Sequence, residues 1–263
     1  MLGKLLKHEF RATGRVFLPF YGAMFIVAIV TRILSGVSGN GISVVAPQII
    51  GIVVTALLMG AVCVIAIILT VQRFNKNLLG DEGYLMFTLP TSTDSLICSK
   101  LIVSVVWYLA SSILAVVALA IAVPIVGQAL IGEQGLKMVL NAMFGSGAVM
   151  STLAVLAILS GLLSIAWFVL SVYAAGSLAM LSNRRRGLAA FGFWIAISTV
   201  AQIIGTLLLT WAMHLEYSVW WTELPETAAV LLPGFVLLAI MLIADAVLYI
   251  VTRIMLKKKL NLE

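Results

Sequence analysis

Six long apolar runs separated by shorter polar stretches set the pattern of this 263-residue chain. They occupy about residues 16–34, 48–71, 101–126, 148–181, 187–213 and 228–256. Each is long enough to cross a hydrocarbon core as a helix, which takes about 20 mainly apolar residues. The runs are continuous rather than alternating, so a closed β-barrel is a poor fit. The pattern predicts an all-α integral membrane protein with six transmembrane helices in a single transmembrane domain covering residues 1–263.

The polar stretches add detail. Over residues 1–15, Leu2, Leu5, Leu6 and Phe10 fall opposite Lys4, Lys7 and Arg11, the pattern of an amphipathic helix lying in the membrane interface. Pro19 stands near the start of the first span and Arg32 close enough to its end to snorkel outward. The segment GQALIGEQGLKM, with Glu133 and Lys137, is expected to be a short polar loop, followed by a short helix near Asn141 to Gly147. Between Lys137 and Arg184 no charged residue occurs. Two helices there would strand Arg184, Arg185 and Arg186 on the far side of the membrane, so one long helix is predicted. Pro233 and Gly234 predict a kink in the sixth span.

Composition removes the soluble classes. Hydrophobic residues make up 63% of the chain and charged residues 10%, whereas soluble domains are roughly one quarter charged. The net charge of +6 does not point to nucleic acid, because the basic residues stand at the ends of apolar runs, where they orient helices. Fourteen of the sixteen basic residues fall on one side of the six-span threading, with Arg32 and Lys137 on the other. That distribution places both termini on the cytoplasmic face of the cell membrane. Arg184 to Arg186 then form a topological anchor with anionic lipid as a contact. Cys63, Cys98, His8 and His214 are scattered, and no Gly-Lys-Ser or Gly-Lys-Thr phosphate loop occurs. No catalytic, metal-binding or cofactor-binding residues are therefore expected in this chain.

The longest interruption is RFNKNLLGDEGYLMFTLPTSTDSLICSK, from Arg73 to Lys100. Asp81 and Glu82 open a segment of about two helical turns that ends before Pro90, where acidic residues complement the helix dipole. Ser92 or Thr93 can cap the helix that follows and runs through Lys100 into the third span. Tyr84, Leu85, Met86, Phe87 and Leu89 are either an anchor presented to a partner or the apolar side of a helix resting on headgroups.

Glu82-Gly83, then Leu89-Pro90, a Ser/Thr-rich turn and Lys100 leading into a span resemble the signature of ABC export permeases of the type-two class. The interfacial N-terminal helix, six spans and cytoplasmic termini are similar to that class along the whole chain. The wording DEGYLMFTLP is most similar to small permeases of Gram-positive bacteria. The resemblance implies that the stretch between spans two and three is a coupling helix. Asp81, Glu82, Gly83, Tyr84, Phe87, Leu89 and Pro90 would then dock on a separate ATP-binding subunit, which holds the ATP. It further implies that two permease chains, identical or related, pair around the path of an exported peptide, lipid or amphipathic drug-like molecule.

Two other features carry chemistry. Asp245 is the one acidic residue inside a span, twelve residues before Lys257, which places it roughly 18 Å from the inner boundary at 1.5 Å per residue. A carboxylate there is either a functional polar site or a group bonded to a neighbouring helix. Trp211, Trp220 and Trp221, with Tyr217, gather at the outer end of the last hairpin, as an aromatic belt or a substrate platform. Two alternatives to the exporter are an ATP-independent secondary transporter using Asp245 and a non-transporting immunity or scaffold protein.

Overall fold

A computed structural model describes residues 2–36, 42–75, 93–123, 126, 132–141, 145, 147–182, 186–216 and 224–260. Among the described residues the chain is all-helical: α1 (Leu2–Gly36), α2 (Ile42–Phe74), α3 (Thr93–Ala122), α4 (Glu133–Leu140), α5 (Ala148–Ala179), α6 (Arg186–Glu216) and α7 (Glu226–Leu260). Every one except α4 is long and apolar enough to cross a membrane, so this is a multi-pass membrane protein. In hydrocarbon, a backbone that bonds within its own segment is one of the few workable solutions. Side-chain hydroxyls follow the same rule, with Thr13, Thr31, Thr55, Thr70 and Thr252 each donating to the carbonyl four residues earlier.

Two expectations take a different form. The interfacial helix and the first span are one uninterrupted helix, α1, with Pro19 inside it. The polar loop around Glu133 is helical. Glu133 lies in the first turn of α4 and forms a 2.6 Å ion pair with Lys137, and this order of acid and base, four residues apart, favours a helix. The short helix expected near Asn141 to Gly147 falls largely outside the described residues. The uncharged segment before Arg184 is a single helix, α5, as expected.

The chain divides into two compact units, residues 1–70 with 102–142 and residues 71–101 with 143–263. In the first unit, Trp107 of α3 organises α1. Phe17 stacks on it at 4.7 Å between centroids, Phe10 and Tyr21 lie 6.2 and 6.1 Å away, and its indole N–H donates to Thr13 Oγ1 at 2.7 Å. Further along, Tyr21 shares a 2.7 Å hydrogen bond with Ser111, and Met24 and Ala28 pack with Ala118 and Ala122. Residue numbers rise together on the two helices, so α1 and α3 run parallel, as alternate spans of a threaded bundle must. Small side chains at these contacts let backbones approach where lipid offers no hydrophobic drive for association.

The second unit holds α5, α6 and α7 together with the end of α2 and the start of α3. α5 packs along both α6 and α7. Its register against α7 is set at two levels. Gly234 abuts Leu156, so closely that a methyl group there would lie 2.9 Å from Leu156 Cδ1. Leu248 joins Leu170 and Ala174 in a buried cluster covered by Leu101, Trp167, Ile197, Tyr249 and Val251. Gly234 meets Leu156 early on the two helices and Leu248 meets the turn of Leu170 and Ala174 later on both, so α5 and α7 run parallel.

Among the described glycines of the first unit, Gly51 of α2 makes the closest approach. A Cβ there would lie 2.9 Å from Thr31 Cβ and 2.8 Å from its Cγ2, and Thr31 is only 2% exposed. Gly51→Ala is expected to lower stability by about 1–3 kcal/mol through overpacking. Gly22→Ala, with open space around the new methyl, should be close to neutral. Thermal unfolding of both variants in detergent, followed by size-exclusion fluorescence, checks the contrast.

Candidate functional site

The polar stretch that dominates the sequence is held at both of its ends within the second unit. At its start, Phe74 is 1% exposed and stacks on Tyr173 of α5 with centroids 4.3 Å apart and an interplanar angle of 10°. Asn75 and Phe74 crowd Gly176 one turn further along α5, where a Cβ would sit 3.1 Å from Asn75 Oδ1 and 3.4 Å from the Phe74 ring. An aromatic pair in this geometry adds about 0.5–1.5 kcal/mol beyond its buried area.

At its far end, Asp94 stands in the first turn of α3, the turn in which an acidic side chain complements the helix dipole. Its two carboxylate oxygens are divided between two residues of α7. Arg253 Nη2 donates to Oδ2 at 2.7 Å and Tyr249 Oη donates to Oδ1 at 3.0 Å. Tyr249 and Arg253 are four residues apart, so they share a face of α7. Cys98 Sγ, one turn after Asp94, lies 3.8 Å from Tyr249 Oη. The Arg253 and Asp94 side chains are 42% and 36% exposed, so screening keeps the pair to about 1 kcal/mol or less. Its value is geometric: a planar donor and a phenol fix one carboxylate in two directions.

Asp245 lies two turns before Arg253 on α7. It is 8% exposed, and neither carboxylate oxygen has a hydrogen-bond partner among the described residues. The second of the two sequence readings, a carboxyl bonded to a neighbouring helix, therefore finds no partner among those residues. Trp194 Nε1 and Ser198 Oγ of α6 are also buried without partners among the described residues.

Asp81, Glu82, Gly83, Tyr84, Phe87, Leu89 and Pro90 lie outside the described residues, as do Trp220 and Trp221. Trp211 is 62% exposed near the end of α6, the position of a belt residue. The sequence reading missed the grip of Asp94 on α7 and the aromatic residues Trp167, Phe168 and Trp194. A signal for the aromatics existed. Trp194 is eight residues inside α6 and Trp167 twelve before the end of α5, about 12 and 18 Å from those helix ends at 1.5 Å per residue, deeper than interfacial belts lie.

No family model, curated protein or solved structure matches the chain.

The grip of Asp94 on α7 is open to a double-mutant cycle with Asp94→Asn and Arg253→Gln. A coupling energy on the order of 1 kcal/mol in detergent unfolding is expected. Tyr249→Phe should remove only part of it, because the guanidinium contact survives.

Proposed function

We propose that the chain is the membrane-spanning permease subunit of an ATP-driven exporter. It carries no ATPase site of its own and takes work through the stretch between α2 and α3 from a separate ATP-binding subunit. Two such chains, identical or related, pair in the cell membrane with both termini cytoplasmic, and the exported molecule is a peptide, lipid or amphipathic drug-like compound. The observation that carries this reading is the anchoring of the polar stretch at both ends: Phe74 to α5 by stacking and Asp94 to α7 by a divided carboxylate. A displacement of residues 76–92 would be delivered to both helices together, because α5 and α7 are packed along each other. The charge distribution and the Glu82-Gly83 and Leu89-Pro90 elements support the same assignment.

A second reading, ATP-independent transport through Asp245, is favoured by the burial of its unpartnered carboxylate. An intramembrane acid is a transport-site hypothesis in its own right.

Purification from the native host in mild detergent is expected to bring down an ATPase. Glu82→Ala combined with Tyr84→Ala should abolish that association while the permease still expresses and stays folded. A wild-type protein that never retains an ATPase would overturn the reading. In membrane vesicles, efflux should stop without nucleotide; efflux driven by a pH gradient alone, and lost in Asp245→Asn, would establish the second reading instead.

A further inference from the structure

One layer of the second unit gathers groups that neither the fold nor the coupling stretch uses. Asp245 stands one turn before Leu248 on the packed stripe of α7. Leu248 packs with Leu170 and Ala174 of the parallel α5, and one turn earlier on each helix stand Asp245 and Trp167, which brings the two to about the same level. Trp167 packs against the cluster of Leu170, Ala174 and Leu248, as does Ile197 of α6. Three residues before Ile197 is Trp194, which meets Phe168 edge-on with centroids 6.4 Å apart. A buried carboxylate thus stands level with Trp167, next to which in sequence Phe168 turns to Trp194 of α6, and the buried Trp194 Nε1 and Ser198 Oγ add a donor and a hydroxyl without partners among the described residues.

The chemistry of this set selects its ligand. A carboxylate in the apolar layer is costly until it meets a positive charge. Indole faces attract cations more strongly than other rings, and more so where water is excluded. A hard divalent ion instead asks for six or more oxygen ligands or its own water, which a layer of rings does not provide. A cation with apolar bulk satisfies both halves of the set: its charge meets the carboxylate and its body meets the rings.

We propose that the exported molecule is an amphipathic cation, and that Asp245 pairs with its positive group while Trp167 and its ring neighbours cover the apolar part. This names the substrate class of the exporter and rests on the transport reading, though not on the source of energy.

The test is saturable binding of radiolabelled tetraphenylphosphonium to the full-length protein in detergent, with empty micelles subtracted and triphenylphosphine oxide as the neutral comparison. Asp245→Asn should weaken binding of the cation by about tenfold or more, the equivalent of one ion contact, and leave the neutral compound unchanged. Asp245→Glu should retain most of the affinity. Trp167→Leu should weaken binding by about fivefold, the size of one cation–π contact. Absence of saturable binding by the wild type overturns the proposal, as does equal affinity in Asp245→Asn. An equal loss for both compounds also overturns it, since the aspartate would then only shape the helix packing. No ATPase is present in the assay, so its outcome is separate from that of the co-purification experiment, which tests the exporter reading itself.

Discussion

In a hydrocarbon medium a polar group has to find its partner inside the protein, and that constraint governs this molecule from the backbone outward. It makes the spans helical, and it turns their threonines back onto carbonyls of the preceding turn. Because lipid gives no hydrophobic drive for helices to associate, adhesion falls to close backbone contacts, aromatic stacking and a few side-chain hydrogen bonds. The first unit shows all three: alanines 28, 118 and 122, the rings around Trp107, and the Tyr21 to Ser111 bond.

Polar groups that do not serve cohesion stand out against that background. Asp94 meets the constraint fully, with each oxygen occupied by a different donor on α7. Asp245, on the same helix as those donors, has no partner among the described residues. The contrast separates a carboxylate that holds two helices in relation from one with capacity left for something else. Both lie within the unit that also fixes Phe74, so the two described ends of the polar stretch and the intramembrane acid belong to one packed body of helices.

How much of this was legible in the sequence depends on the range of the interaction. Apolar runs of membrane-spanning length are a local property, and each of the six corresponds to one long helix. The unbroken α5 could be argued from the position of Arg184 to Arg186 alone. The continuity of α1 was less visible. The amphipathic pattern of residues 2–15 speaks for an interfacial helix, while the packing of Phe10, Thr13 and Phe17 on Trp107, some ninety positions away, ties that segment to the span. Helicity around Glu133 was masked by its glycines, although the acid and base four residues apart were in plain view. The Asp94 contacts with α7 and the level shared by Asp245 and Trp167 join residues far apart in sequence. No periodicity within one segment reports such a relation; it follows only once the register of α5 against α7 is fixed.

The parallel alignment of α5 and α7 also has an electrostatic consequence. Two helices running the same way bring their C-terminal ends, each equivalent to roughly half a negative charge, to the same level. α3 begins beside α7, and its exposed amides make that start equivalent to roughly half a positive charge. Asp94 sits in that first turn of α3 and Arg253 two turns from the end of α7. Asp94 is therefore favoured by the field of its own helix before it meets Arg253, which stands inward of the last turn of α7, where that helix's field has faded.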